Sequence, residues 1–445
     1  MRILLLTQAF PPFNTSGAVR VGKLAHYLIE RGHDVRVITA SPLPYPRDLP
    51  TDISSDLVIR TRSLDPFVLI ARLRGTRRNQ SVTSAARSRP GTGHRARLLR
   101  WLGALLAIPE AQVGWYPSAV AAGRRLIREW RPDAIYASAL PFTSHLVAAR
   151  LARSSRVPWI AEFRDHFADN PYSNLPAWRD PIDRWIERRV VRSAAACVSV
   201  SGPMVETLRA RHGKPGFVVL NGYDGEVRPN PTLSSAETPL RILYTGVIYP
   251  GRRDPSTLFA AIASLGPLAK EVEVMFYGQD LRGVVDLARR YHVSEQVHVL
   301  GTIAHSDSLA QQQAADVLLL LLWNDPREVG VYTGKLFEYI GAGRPILAVG
   351  SQNGVAAQLI RERGLGVVAT DSSAIASALR GWLEEKRSAG RVAGPPEDAK
   401  TGLSRQEQFA VVDDLLHQIV DGEHVGRLPR RPQPSNPREP ELSQP

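Results

Sequence analysis

Short, continuously apolar runs alternate with segments of helical periodicity along most of the chain. Runs at Ile3–Thr7, Val35–Ala40, Ala134–Ala137, Trp159–Phe163, Cys197–Ser201 and Val218–Asn221 read as strands. Between them lie amphipathic stretches such as Val19–Arg31, where Val19, Leu24, Tyr27 and Leu28 recur near helical spacing. Apolar strands separated by helices predict a parallel sheet covered on both faces. A stretch rich in Pro, Ser and Thr, Pro229–Pro239, interrupts the rhythm, which restarts with Ile242–Thr245, Val272–Tyr277, Val297–Leu300, Val317–Leu322, Ile346–Val349 and Gly366–Ala369. The pattern predicts two doubly wound, Rossmann-like α/β domains, residues 1–228 and 238–395. A helix within 400–422 is expected to pack back across them, and the Pro- and Arg-rich tail, 424–445, holds too little apolar content to order. Two such domains in tandem place a ligand in the cleft facing the C-terminal ends of their strands.

Charge adds a partner class. Lys and Arg total 56 against 43 Asp and Glu, a net charge of +13 that suits nucleic acid, anionic lipid or a phosphorylated ligand. Much of the excess sits in an insertion at 66–107, where Arg72, Arg74, Arg77, Arg78, Arg87, Arg89, Arg95, Arg97 and Arg100 occur with no acidic residue. No Phe, Tyr or Trp stands between Arg72 and Arg100, which argues against a base-stacking nucleic-acid surface, and no nucleic-acid partner is expected. The end of the insertion, with Arg97, Arg100 and Trp101, is a basic amphipathic stretch suited either to an anionic membrane surface or to solvent.

The lone cysteine, Cys197, excludes an intramolecular disulfide and a Cys-based metal site, and its apolar neighbours predict a buried thiol. The first apolar run, Met1–Thr7, is too short for a signal-peptide core, and the longest, Val317–Trp323, is far below the roughly 20 residues that span a bilayer. The expectation is a cytoplasmic protein, at most peripheral on the inner face of the cell membrane.

Three strings carry candidate chemistry. The first strand runs into Gln8–Arg20, a Pro/Gly loop that opens a helix. Gly17 there permits close approach of backbone amides to a phosphate or sugar, or simply makes a turn. In the second half, Tyr244-Thr245-Gly246 ends a strand and is followed by Arg252-Arg253, a guanidinium pair able to neutralise a diphosphate beside the Gly246 turn, or else solvated surface. The string Thr333–Leu347 starts a helix after Gly334. Its amides can bind a phosphate and Glu338, one turn in, can accept hydrogen bonds from a ribose diol; alternatively Lys335 and Glu338 form an i, i+3 ion pair.

Taken together, these strings and the Leu24–Val35 helix–turn–strand resemble glycosyltransferase family 4 over roughly residues 1–420. The resemblance implies a GT-B fold and a nucleotide-sugar donor as co-substrate in the interdomain cleft. It also implies transfer with retention, and no cofactor or divalent metal; the absence of an Asp-x-Asp string fits. It assigns Gly17, Gly246, Arg252, Arg253, Gly334, Lys335, Leu336 and Glu338 to the donor. Arg253 is the better match of the pair, and Val247 stands at the family's other cationic position.

Glu338 matches the second of the family's two glutamates eight positions apart, but the first position is Gly330, with Glu328 out of register. In the first half, Trp159–Pro171 is similar to an Arg-Asp motif of polysaccharide and lipid-linked sugar transferases. It offers Asp165 and His166 to orient an acceptor hydroxyl or the donor sugar, with an Arg164–Asp165 pair as the structural alternative. The implied acceptor is a saccharide or polyprenyl-linked saccharide of cell-surface polysaccharide or glycolipid assembly. A nucleotide-sugar epimerase of the same fold and an inactive sugar-nucleotide-binding or polyanion-binding protein are the alternatives.

Overall fold

A computed structural model describes residues 1–63, 107–170, 173, 175–225, 235–249, 251–279 and 281–422. The basic insertion with Arg97, Arg100 and Trp101, and the tail 424–445, lie outside the described residues.

Seven strands form the first sheet: β1 (Arg2–Leu6), β2 (Asp34–Ala40), β3 (Val58–Thr61), β4 (Ala134–Ala139), β5 (Trp159–Phe163), β6 (Ala196–Ser199) and β7 (Gly216–Val218). Six form the second: β8 (Leu240–Thr245), β9 (Val272–Tyr277), β10 (Val297–Gly301), β11 (Val317–Leu321), β12 (Ile346–Val349) and β13 (Gly366–Ala369). The orders are β3-β2-β1-β4-β5-β6-β7 and β10-β9-β8-β11-β12-β13, with parallel pairing in both. Each sheet reverses direction beside its first strand, the doubly wound arrangement that opens a crevice at the strand C-termini. Every residue of β4, β5, β6, β11 and β12 is buried, as helices on both faces require, whereas the edge strand β10 leaves Val299 and Leu300 exposed. Cys197 is buried in β6, where desolvation pushes its thiol up to about 12.

Local signals set the element ends. The helix Ser16–Glu30 starts where the Thr15 side chain accepts from the Ala18 amide, and it buries Val21, Leu24, Ala25 and Leu28 against β1 and β2. The helix Arg405–Asp421 starts at a capping box in which Ser404 and Glu407 bond reciprocally. Its face of Phe409, Val412, Leu415, Leu416 and Ile419 enters the same core as Ile3, Leu5 and Leu24, so the last described helix completes the first sheet's cover.

Two details differ from the sequence pattern. The short edge strand β3 was not anticipated. The run expected as a strand at Val218–Asn221 pairs two residues earlier: β7 ends at Val218, and the carbonyls of Val219 and Leu220 accept from the Arg20 guanidinium instead of from a neighbouring strand.

A cleft between the two sheets

A cleft of about 550 Å³ opens at the C-terminal ends of both sheets. Ser16, Val19, Arg20, Arg164, Asp165, Asn170 and Asn221 line it from the first sheet's side. Val247, Tyr249, Arg253, Val331, Tyr332, Thr333, Gly334, Lys335 and Glu338 line it from the second, and Arg405 reaches in from the helix that crosses back. Of the predicted residues, Asp165, Arg253, Gly334, Lys335 and Glu338 therefore meet in one place.

The helix Gly334–Ala342 points its N-terminus into this space. Thr333 is its N-cap residue, yet its side chain makes no capping bond and its buried hydroxyl has no hydrogen-bond partner among the described residues. That leaves the first-turn amides and the positive end of the helix dipole facing the cleft. Gly343, at φ +69°, ends the helix in the left-handed conformation and returns the chain to β12.

Lys335 does not pair with Glu338. Its ammonium donates to the Tyr244 hydroxyl at 2.7 Å, and its stem crosses Gly246, where an added Cβ would lie 2.3 Å from Lys335 Cε. Gly246 also sits at φ +119°, so a side chain is excluded twice over, by backbone conformation and by the lysine. Burial lowers the Lys335 ammonium to about 7, with repulsion from Arg253 adding to the effect and Glu338 opposing it. Arg253 pairs with Glu328 at 3.0 Å, both side chains nearly enclosed, and packs over the Tyr249 ring.

Glu338 is held by donors: His305 Nε2 lies 3.3 Å from Oε1 and Gln312 Nε2 is 3.3 Å from Oε2. Burial alone would raise its pKa. The His305 hydrogen bond and charge, the Gln312 bond and Arg405 overcome this and hold it below the usual carboxylate range. His305 in turn is raised, chiefly by its bond to Glu338. An ionised carboxylate with one donor on each oxygen keeps further lone pairs for hydroxyl donors.

Asp165 follows β5. Its carboxyl is open to cleft water but walled by protein, and desolvation raises it to about 6 against Arg164 and Arg253. Arg164 does not form a side-chain pair with Asp165. Its guanidinium donates to the Ala139 and Leu140 carbonyls and lies against Gly17, where a Cβ would be 1.5 Å from Nη1. Gly17 thus admits Arg164 to the cleft wall rather than lining it.

The structure also separates Arg252, Leu336 and His166 from the cleft. Arg252 does not line it; its guanidinium stacks over the Trp323 ring at 4.6 Å. Leu336 is fully buried in the second domain's core and its amide bonds to the Thr333 carbonyl, because that position of the helix faces β11 and not the opening. His166 turns toward Glu187, Asp169 and Arg211; desolvation, and then Arg211, lowers its pKa. At Gly330 the carbonyl accepts from Ser201 Oγ of the first domain at 2.5 Å, and an added Cβ would rest 3.4 Å from Pro203. Glu328, the acid out of register, is committed to Arg253.

Several lining groups carried no assignment from the sequence. Arg20 bonds buried Glu162 at 2.8 Å, and Glu162 also accepts from Tyr136 at 2.6 Å. A signal existed: each is a charge within an otherwise buried, apolar element, and such charges are rarely buried unless paired. Arg405 bonds the Asn221 carbonyl and Asp224, and its place beside Glu338 depends on the chain's return from the second domain, which leaves no local signature.

Paired doubly wound sheets with a polar cleft at their strand C-termini define the GT-B architecture. In the first domain, residues 16–223 match the family model of the glycosyl transferase 4-like domain, and the two domains together have the GT-B fold. No curated protein matches it in sequence. Sucrose-phosphate synthase from Thermosynechococcus elongatus is similar in fold, with TM-score 0.62 and 15% identity over 95% of this chain and 100% of that one. HepE of Anabaena, in complex with UDP and glucose, has TM-score 0.59 and 15% identity over 95% and 100%. A Listeria monocytogenes protein assigned as a UDP-N-acetylglucosamine 2-epimerase has TM-score 0.50 and 12% identity over 96% and 98%, so the fold is shared with epimerases and the choice of reaction rests on the family match and the site.

Proposed function

We propose that the cleft binds a nucleotide sugar and transfers its sugar, with retention at the anomeric carbon, to a saccharide or polyprenyl-linked acceptor in cell-surface polysaccharide or glycolipid assembly. The observation that carries this reading is the convergence of Glu338, Lys335, Arg253 and the open N-terminus of helix Gly334–Ala342 in one cleft. Glu338, kept ionised by His305 and Gln312, accepts the ribose hydroxyls. The diphosphate lies against the helix amides, with Lys335 and Arg253 neutralising the charge that grows as the sugar–phosphate bond breaks. The departing diphosphate oxygen then takes the proton of the incoming hydroxyl, on the face the leaving group vacates. Asp165, across the cleft, orients that hydroxyl.

The cleft volume lies within the range of small-molecule sites. HepE, of the same fold, holds UDP and glucose, and the groups gathered here suit the same kind of ligand. Charge neutralisation comes from side chains and amides, and the scheme requires neither cofactor nor metal. Epimerisation needs acid/base carboxylates around the sugar. Among the described lining residues only Asp165 and Glu338 are acidic, and Glu338 is already engaged as an ionised acceptor.

Calorimetric titration of UDP, GDP, dTDP and ADP into wild type and Glu338→Ala, without added metal, tests the site. One nucleotide should bind, and the substitution should weaken it on the order of 100-fold through loss of two hydrogen bonds to a charged acceptor. If no nucleotide binds, or the variant binds equally, the assignment is wrong.

A further inference from the structure

The helix Arg179–Val191 sorts its charges by side. Its acids at Asp183 and Glu187 face inward: Asp183 pairs with buried Arg179 at 2.8 Å, and Glu187 with Arg211 at 2.7 Å and His212 at 3.1 Å. Outward stand Trp185, Arg188, Arg189 and Arg192, spaced i, i+3, i+4 and i+7 and so sharing one face. Trp185 is 61% exposed, the most exposed of the large apolar side chains described, and Arg189 lies 5.9 Å from its ring. No acidic partner meets Arg188, Arg189 or Arg192 among the described residues. Exposed Asp180 lies off this face, five residues before Trp185, and Leu175, 44% exposed, precedes the helix.

The helix also backs the cleft. Glu187 accepts from the Ala168 amide at 3.0 Å, and Asp169 pairs with Arg184 and with Arg211, each at 2.6 Å. These bonds tie the helix to the loop between Asp165 and Asn170, both of which line the cleft.

We propose that the face of Trp185, Arg188, Arg189 and Arg192 docks the protein on an anionic lipid surface, bringing the Asp165–Asn170 side of the cleft to an acceptor held in that surface. Charge complementarity selects the occupant: three unpaired guanidinium groups attract anionic headgroups, and an indole among them suits the interface, where its ring is apolar and its N–H stays wet. A single aromatic residue makes a poor stacking platform for a polynucleotide, which uses several in succession. The docking itself stands apart from the transferase reading; only the delivery of acceptor rests on it.

The test is sedimentation of the full-length chain with vesicles of phosphatidylcholine alone and of equal parts phosphatidylcholine and phosphatidylglycerol, alongside nucleotide titration of the same samples. Wild type should bind only the anionic vesicles. The triple variant Arg188→Ala, Arg189→Ala, Arg192→Ala should lose affinity on the order of 100-fold, and Trp185→Ala about tenfold. All should melt and bind nucleotide as wild type does, since these side chains are exposed. Equal sedimentation of the triple variant, or binding to polynucleotide with none to vesicles, overturns the docking face. Vesicle binding without any nucleotide binding leaves the docking face intact and removes the transferase reading.

Discussion

Lys335 gives the site a pH signature that can be worked through. Its ammonium is held to about 7 by burial and by Arg253, with Glu338 opposing. A nucleoside diphosphate placed beside it restores the missing counter-charge, so the bound lysine titrates higher and binding takes up a proton. With a free-state value of about 7, roughly one-tenth of the lysine is charged at pH 8 and one-hundredth at pH 9. Affinity should therefore fall about tenfold, ~1.4 kcal/mol, for each pH unit in that range.

Folding has the opposite slope. Between about 7 and the ordinary lysine value the unfolded chain binds more protons at this position than the folded one, so stability gains from Lys335 as pH rises. Calorimetry from pH 6.5 to 9 in buffers of differing ionisation enthalpy reads the proton uptake, and melting of the free protein reads the second slope. His305, raised by its bond to Glu338, and Asp165, raised by desolvation to about 6, carry protons of their own, so the comparison is with Lys335→Met, in which both slopes should flatten. An affinity that does not change with pH, or that falls equally in the variant, refutes the assignment of Lys335 to the diphosphate.

Two further outcomes follow from packing. Gly246→Ala introduces a Cβ at φ +119° and 2.3 Å from Lys335 Cε; it should cost about 1–3 kcal/mol of stability and displace the lysine, read as a lower melting temperature and weaker nucleotide binding, whereas normal binding would show that Lys335 needs no clearance there. Phe409→Ala should cost about 3–5 kcal/mol in chemical denaturation, because the ring fills the first sheet's core; a loss below ~1 kcal/mol would mean that the helix Arg405–Asp421 is a dispensable appendage.

Periodicity alone carried most of the architecture. Runs such as Trp159–Phe163 and Val317–Leu321 are apolar at every position because both faces of a parallel sheet are covered, and this demand is written locally. The helix starting at Gly334 was equally legible, since Gly343, at φ +69°, is a requirement of the backbone where the helix ends. The arrangement of the cleft was not. The same string allowed a Lys335–Glu338 pair, and only the approach of Tyr244 from β8 and of His305 and Gln312 from another helix separates the two side chains and gives each a partner. Gly17 was legible as a glycine that must admit something, but that the guest is Arg164, 147 positions away, follows from the close approach of β5's end to the first helix. Leu336 shares its string with Glu338, yet helical rotation sends one into the core and the other to the cleft. Sequence spacing determined most of the elements and their approximate ends; which charges meet, and which lose water, depended on contacts between separate elements that no local pattern encodes.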